Sequence, residues 1–223
     1  MSNRIDKKKI LHISKYYYPF IGGTEQIARD CVNALTEYEQ IVFCFNHEIG
    51  DLEDQVDGIE VVRCGCFAKI SSQSLSLSYG RRLKKVIDSF KPDIVVFHYP
   101  NPFAAYYLLR YMNGETKFLI YWHLDIVKQI FLRMIFRSQN QRLLKRADRI
   151  IATSPNYIKG SCWMRQVPEK CVVVPNCINE KRLKKTEESR RIEKEIRNDN
   201  RDKIVCLAVG RHTEYKGFKY LSR

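Results

Sequence analysis

The sequence has no CxxC pair and no cluster of Cys and His at the spacing of a zinc site, although it contains eight cysteines. Structural metal sites and redox motifs are recognised by such spacings, so we expect neither here. Cys44, Cys171 and Cys206 fall inside apolar, strand-like runs. This placement predicts reduced thiols in the core of a cytoplasmic protein.

Long apolar runs are also absent. The longest uncharged run, Ile94–Leu109, contains a histidine, an asparagine and two prolines, which makes it a poor membrane span. Near the amino terminus, Lys15 interrupts the apolar stretch long before it reaches the length of a signal-peptide core. We therefore expect neither a membrane span nor a signal peptide.

Acidic residues are scarce, with 25 Asp and Glu against 39 Lys and Arg, so the formal net charge is +14. Such a charge favours phosphorylated ligands, polyanions or an anionic membrane surface. Residues 181–223 hold 14 Lys and Arg against 7 Asp and Glu, which is half of the net charge. The mixed signs and the lack of aromatic residues from 181 to 202 argue against a nucleic-acid arm.

Short apolar runs alternate with longer amphipathic ones along the chain. The strand-like runs are KILHIS, QIVFCF, IEVVRC, DIVVFHY, KFLIYWH, RIIATS and CVVVP, followed later by IVCLAVG, and helical patterns fall near 24–38, 79–90, 103–113, 126–147 and 155–164. This alternation predicts an α/β domain with a doubly wound parallel sheet. We place that domain at 1–179, a charged linker or helix at 180–202 and the start of a second domain at 203–223. The serine-rich SSQSLSLS is expected to form a flexible surface loop.

The stretch YYYPFIGGTEQ separates the first predicted strand from the first helix. Gly22 and Gly23 would let a phosphate or a sugar approach the backbone closely, and Thr24 is placed to cap the helix. The alternative is an ordinary two-glycine turn before a capped helix. The loop is neither a GxGxxG fingerprint nor a Walker loop.

Polar residues follow the fifth strand in YWHLDIVKQ. His123 and Asp125 could bond sugar hydroxyls, or the imidazole could transfer a proton. The alternative is a core histidine and a helix-capping aspartate. His98 is a weaker candidate of the same kind on the neighbouring strand. The basic amphipathic helix that follows could contact anionic lipid, although such a helix more often packs its apolar stripe on its own sheet.

The third candidate site is AVGRHTEYKGFKYL. Arg211 at a strand end and Lys216 at a helix start would direct two cations toward one point, as diphosphate binding requires.

Together these motifs resemble the retaining glycosyltransferases of family four, which have the GT-B fold of two facing Rossmann-like domains. The matching stretches are YYYPFIGGTEQ, YWHLDIVKQ, ADRIIATSPNY, VVVPNCI and AVGRHTEYKGFKYL, in the family's order. The first two look most like bacterial O-antigen mannosyltransferases. The resemblance implies metal-free transfer of a hexosyl group, expected to be mannosyl from GDP-mannose, to a lipid-linked glycan acceptor with retention.

The resemblance also implies roles for individual residues and a place in the cell. Catalytic roles fall to His123 and Asp125, and donor binding falls to Gly22, Gly23, Glu25, Arg211 and Lys216. We expect a cytoplasmic protein, peripheral on the inner face of the membrane, that acts in surface-polysaccharide assembly.

One departure from the family pattern concerns the second domain, because its acidic motif and its phosphate loop are not in the sequence. We therefore expect little transfer by these 223 residues alone. The alternative function is a non-catalytic basic α/β domain that binds a membrane surface or a polyanion.

Overall fold

The protein is described here from a computed structural model, which covers residues 7–70, 73–125, 136–176, 183–210 and 217–220. The chain divides into two compact units, Met1–Cys177 and Ile178–Arg223. Each unit is treated by itself below.

The first unit is built on one eight-stranded sheet and a small hairpin. Its strands are β1 (Lys9–Ile13), β2 (Glu39–Phe45), β3 (Leu52–Val56), β4 (Ile59–Cys64), β5 (Ala68–Ile70), β6 (Gln73–Leu75), β7 (Ile94–Tyr99), β8 (Lys117–Trp122), β9 (Arg149–Ala152) and β10 (Cys171–Val173). The order across the sheet is β10-β9-β8-β7-β1-β2-β4-β3, with every pair parallel except β3 with β4. Strands β5 and β6 form the separate antiparallel hairpin. The predicted doubly wound parallel sheet is confirmed.

Helices cover both faces of this sheet. They are α1 (Gly23–Ala34), α2 (Tyr79–Phe90), α3 (Pro102–Tyr111), α4 (Arg137–Arg146) and α5 (Pro155–Gly160), with short 3-10 turns at Met164–Gln166 and Pro168–Lys170. Local sequence explains several of the helix starts. Asn101 and Ser154 each precede a proline, and their side chains accept a backbone N–H of the first turn. The predicted helix 126–147 is seen only from Arg137, since 126–135 lie outside the described residues.

The larger core lies on the face that carries α2, α3 and α4. Leu11, Phe43, Val95, Phe118 and Ile150 come from five neighbouring strands and pack there in one buried cluster. Each is fully buried, so this face supplies most of the apolar area that stabilises the fold.

A smaller cluster lies on the other face, under α1. Ala28 and Val32 of that helix pack against Val42, Cys44 and Val61 of the sheet. The residues beside this cluster on the same face are polar, and they form the candidate site described below.

One prediction about the first unit was wrong, and one strand was missed. The described part of SSQSLSLS, residues 73–78, is not a flexible loop, because it contains β6 and its serines Ser74 and Ser76 are buried. The Tyr16 and Ser74 hydroxyls share a 2.6 Å hydrogen bond that ties this hairpin to the loop after β1. The acidic strand β3 was also missed, because it is an edge strand with few apolar residues.

The second unit contains α6 (Glu187–Asp199) and a 3-10 turn at Phe218–Tyr220. Thr186 caps α6, as its hydroxyl accepts the backbone N–H of Ser189, and ion pairs four residues apart line the exposed surface. The run IVCLAVG was predicted to be a strand, but residues 204–210 form no strand and are exposed. A strand needs a neighbour to bond its backbone, and no described residue of this unit provides one.

The cysteine prediction is correct only in part. No disulfide joins the cysteines that the structure describes. Cys44 is buried and burial raises the pKa of its thiol to about 12, whereas Cys171 is only partly buried. Cys206 is exposed, because the run that carries it does not enter a sheet.

Candidate active site

The candidate site lies at the carboxyl edge of the sheet, where the strand order reverses. Strand β1 has β2 on one side and β7 on the other, so the loops after β1 and β7 diverge at this point. Ligands of open parallel sheets bind in the crevice that such a divergence creates. The glycine loop follows β1, His98 lies near the end of β7, and His123 directly follows β8.

The two glycines open helix α1. Gly22 is the N-cap residue in extended backbone, and no described side chain caps the helix there. The predicted cap by Thr24 is wrong, because the Thr24 hydroxyl donates to Glu25 Oε2 at 2.9 Å instead. The first turn of α1 therefore keeps backbone N–H groups at the edge where an anion could bind.

Gly22 and Gly23 matter for the space around them and not for a backbone conformation that favours glycine. Neither residue has a positive φ. A methyl group on Gly22 would overlap the carboxylate of Glu25, which is buried against the start of the helix. A methyl group on Gly23 would meet nothing within 4 Å, so this position leaves open space in front of the helix.

His98 and His123 form a direct pair. The distance from His98 Nδ1 to His123 Nε2 is 3.0 Å, and the two rings stack with centroids 5.2 Å apart at 8°. Tyr121 stacks on both rings and its hydroxyl donates to Asn176. The pair is created by sheet register, since His98 lies opposite Tyr121 and the His123 N–H donates to the Tyr99 carbonyl.

Burial keeps both rings of this pair neutral. It lowers the pKa of His123 to about 4. It lowers the pKa of His98 further below its usual range, with repulsion from the neighbouring histidines adding to the effect. Each neutral ring carries one N–H and one lone pair, so one ring donates to the other across the 3.0 Å contact.

The outer nitrogens of the pair, His98 Nε2 and His123 Nδ1, are buried without a partner in the described part of the protein. Whichever ring donates within the pair, one outer nitrogen is a donor and the other is an acceptor. A buried polar atom without a partner calls for an explanation, because most such atoms in folded proteins are paired. A ligand hydroxyl can satisfy either kind of nitrogen.

His12 extends these polar residues to a neighbouring strand, and sequence reasoning missed it. It is fully buried on β1, with its ring 6.4 Å from that of His98. The amide of Gln40 donates to the carbonyls of Val32 and Leu35, so its oxygen accepts from His12 Nε2–H at 2.9 Å. This network fixes the tautomer of His12. A histidine inside the apolar run KILHIS is the only signal that the sequence offered.

Asp125 is engaged in holding the end of β8. Its Oδ1 accepts the indole N–H of Trp122 at 2.7 Å and the hydroxyl of Ser161 at 3.1 Å. These contacts suit a carboxylate that fixes the segment around His123. Arg211 and Lys216 lie outside the described residues, so their part in the site stays a prediction.

The rest of the described structure adds two findings. None of its helices is long and apolar enough to cross a membrane. None of its groups of His, Cys, Asp and Glu has three members placed to hold a metal ion, within the residues covered.

An open depression of about 680 Å³ near Lys8, Ile94 and Lys117 lies at the amino edge of the sheet, away from the candidate site.

Comparison with known families places most of the first unit in one of them. The model of the family "Glycosyltransferase Family 4" matches residues 21–182. The chain is 29% identical over 222 residues to an O-antigen chain mannosyltransferase C of Escherichia coli, covering 96% of this chain and 56% of that protein. It is 29% identical over 174 residues to the D-rhamnosyltransferase WbpZ of Pseudomonas aeruginosa, covering 74% and 44% respectively. The chain thus spans about half the length of these relatives.

Solved structures show the same fold at low sequence identity. Sucrose-phosphate synthase from Thermosynechococcus elongatus matches with a TM-score of 0.66 at 16% identity, over 96% of this chain and 58% of that one. Anabaena Alr3699/HepE in complex with UDP and glucose matches with a TM-score of 0.60 at 15% identity, over 86% and 51%. These likenesses concern the fold, and they confirm the predicted Rossmann-like parallel sheet of one GT-B domain.

Proposed function

Since this chain belongs to glycosyltransferase family 4, we propose that the protein transfers a mannosyl group from GDP-mannose to a lipid-linked glycan acceptor, with retention, in the assembly of O-antigen or a related surface polysaccharide. The two relatives named as an O-antigen mannosyltransferase and a rhamnosyltransferase support a hexosyl or deoxyhexosyl donor. The HepE structure was solved with UDP and glucose, which supports a nucleotide sugar as the class of donor.

The observation that carries this proposal is the histidine pair at the same edge of the sheet as the glycine loop. His98 and His123 lie on the face of the sheet that α1 covers. His12 marks this face, because it lies opposite Val42 of the cluster under α1, and its ring is 6.4 Å from that of His98. Their outer nitrogens provide one donor and one acceptor at the switch point of the sheet. Sugar hydroxyls both donate and accept, so they suit such a pair better than a purely anionic ligand does.

The proposed roles follow from these positions. His123 contacts the transferring sugar, and His98 holds the His123 ring in place through the bond between them. The open space at Gly23 and the start of α1 receive the donor near its diphosphate, where the helix dipole favours negative charge. Asp125 fixes the segment that carries His123.

In the reaction, the bond between the anomeric carbon and the diphosphate breaks, the acceptor hydroxyl oxygen bonds to that carbon on the same face, and the hydroxyl proton passes to the departing diphosphate oxygen. Negative charge grows on the diphosphate as it leaves. We assign its neutralisation to Arg211 and Lys216, with the amino end of α1 contributing, so that no metal ion is needed. Both cations belong to the second unit of the chain.

Turnover by the full-length protein tests the proposal. GDP-mannose, UDP-glucose, UDP-galactose and UDP-N-acetylglucosamine are each supplied with a polyprenyl-diphosphate-linked acceptor, and the anomeric configuration of the product is determined by NMR. We expect transfer from GDP-mannose with an α-linked product. Efficient use of a UDP-sugar in place of GDP-mannose would overturn the donor assignment.

Substitution of His123 tests the site itself. We expect His123→Ala to lower kcat by about 100-fold or more when it is assayed at a temperature where the variant remains folded. His47→Ala is the matched control, since His47 is also half-buried at the carboxyl edge but lies outside the histidine pair. Equal effects of the two substitutions would contradict the assignment.

We also propose that the protein works on the inner face of the cell membrane, where a lipid-linked acceptor would be held. Helix α4 carries Arg137, Arg142, Lys145 and Arg146, and such a helix suits anionic headgroups. Flotation with vesicles containing phosphatidylglycerol, at low and at high salt, measures this contact. Binding that salt does not weaken would rule out the electrostatic contact.

A further inference from the structure

Arg63 is a buried cation that the proposed reaction does not use. It lies on β4, and its side chain is about 1% exposed. Lysine and arginine side chains are rarely buried unless their donors are all engaged, because removing a charge from water is costly. The hydrogen-bond partners of Arg63 therefore indicate its role.

One set of donors of Arg63 binds the neighbouring strand. Nε donates to Asp54 Oδ1 at 2.9 Å, and Nη2 donates to Asp54 Oδ2 at 3.1 Å, so the pair is bidentate. Asp54 lies on the edge strand β3 and its side chain is about one-third exposed. This geometry fixes both the position and the orientation of the guanidinium plane.

The other donors of Arg63 reach the glycine loop. Nη2 donates to the Tyr18 carbonyl at 2.6 Å, and Nη1 makes a longer contact of 3.5 Å with the Tyr17 carbonyl. These carbonyls lie four to five residues before Gly22 in the loop that follows β1. Because β2 separates β1 from β4, Arg63 reaches this loop from the second strand along the sheet.

We infer that Arg63, oriented by Asp54, is the positioning residue for the glycine loop and hence for donor binding in the proposed reaction. A buried ion pair is weak evidence for a stabilising role, since well-packed apolar residues often stabilise a fold equally well. A guanidinium, in contrast, can hold a carboxylate and a backbone carbonyl in one plane, which an apolar residue cannot do.

A second contact on Tyr18 agrees with this role. The Arg29 guanidinium of α1 lies 4.0 Å from the centre of the Tyr18 ring, while Arg63 binds the Tyr18 carbonyl. The residue is thus held through its ring from the helix and through its backbone from β4. These two contacts fix the start of the segment that leads to Gly23. Catalytic geometry is sensitive to displacements of about 1 Å.

Hydrogen exchange measured by mass spectrometry tests the inference on the full chain. Asp54→Asn weakens the orientation of Arg63 at a partly exposed position, and Arg63→Lys keeps the charge but removes the planar fork. We expect exchange in peptides covering residues 16–23 to become roughly tenfold faster in both variants. Exchange in β7 and β8 should keep its wild-type rate.

Glu53→Gln is the matched control. Glu53 precedes Asp54 on β3 and pairs with Arg82 of α2, at a site that does not touch the glycine loop. This variant should leave exchange in residues 16–23 unchanged. Wild-type exchange in that segment of Asp54→Asn would overturn the inference. So would faster exchange spread evenly over the whole unit, because that pattern indicates a merely structural ion pair.

A second readout connects the loop to donor use and separates the two proposals. In the full-length protein, assayed at a temperature where each variant remains folded, Asp54→Asn should raise KM for GDP-mannose at least fivefold, whereas Glu53→Gln should leave it unchanged. An unchanged KM would refute the link to donor binding. If the wild-type protein does not use GDP-mannose, the proposed donor is wrong, yet the exchange experiment still decides whether Arg63 holds the loop.

Discussion

The buried histidines should make the stability of the first unit strongly dependent on pH. Burial lowers the pKa of His12 and His123 to about 4, and that of His98 well below its usual range. In the unfolded chain each imidazole titrates near 6.5. Between these values the unfolded state binds protons that the folded state excludes. The free energy of unfolding should therefore fall as the pH is lowered from 7 toward 5.

The size of this effect follows from the pKa values. A folded pKa of about 4 against about 6.5 unfolded costs about 2 kcal/mol for one histidine between pH 7 and pH 5. His12 and His123 together cost about 4 kcal/mol if they titrate independently, and His98 adds to the loss. That loss is a large part of the whole stability of many domains, so the unit should be markedly less stable at pH 5 than at pH 7.

The carboxyl groups with lowered pKa contribute little to the change in unfolding free energy between pH 7 and pH 5. The pKa of Asp51, Asp57 and Asp148 is lowered below its usual value by hydrogen bonds and nearby cations, although burial opposes the change in each. Their contribution to stability is present above the ordinary carboxyl range and is lost only as the pH falls further. The change between pH 7 and pH 5 therefore belongs mainly to imidazoles.

Urea unfolding at pH 7, 6 and 5 measures the effect, with the slope checked for constancy across the series. His12→Gln should reduce the loss between pH 7 and pH 5 by about 2 kcal/mol, because one buried imidazole has been removed. Taking the difference between the two pH values cancels any constant cost of the substitution. His47→Gln, at a half-exposed site outside the buried group, should leave the full loss in place. A pH-independent midpoint in the wild type would refute the reasoning.

Two further predictions concern the loop after β1. Gly23→Ala should stabilise α1 by a few tenths of a kcal/mol to about 1 kcal/mol and yet weaken GDP-mannose binding in calorimetry, since the methyl group enters the open space. Gly22→Ala is the matched variant, and it should destabilise the unit because the Glu25 carboxylate must move. A gain in stability for Gly22→Ala would contradict the geometry. Ser74→Ala should cost about 1–3 kcal/mol in urea unfolding, as the buried Tyr16 hydroxyl loses its partner, and a change below 0.3 kcal/mol would contradict this.

The sequence predicted the sheet where its strands are apolar on both faces. Strands such as β7 and β8 read as nearly continuous apolar runs, because most of their residues on both faces are buried. Strand β3 has only one buried residue in five, so its sequence LEDQV carries no such signal. The run at 204–210 shows the converse, since an apolar and β-branched sequence does not form a strand unless another strand lies beside it.

The sequence predicts at which edge of the sheet the site residues lie, but it does not predict which of them are in contact. Strand ends place the glycine loop, His98 and His123 at one edge of the sheet, and that much follows from the pattern of strands. The bond between the two histidines depends on the register of β7 against β8, which sequence alone does not give. The reach of Arg63 to Tyr18 depends in turn on β4 lying two strands from β1.

The unpaired nitrogens of the pair agree with the proposed role of His123, although His12 Nδ1 is likewise buried without a partner in the described structure. A histidine that merely fills a core would be expected to have both ring nitrogens bonded, as buried polar atoms usually are. His123 Nδ1 and His98 Nε2 have no partner in the described structure, and burial lowers the pKa of both rings. Such an arrangement costs stability, and the apolar cluster on the opposite face of the sheet offsets that cost. A pair of neutral, preoriented imidazoles is what a sugar hydroxyl would need at this edge, so the same feature that destabilises the fold at pH 5 is the one that we expect to bind the donor.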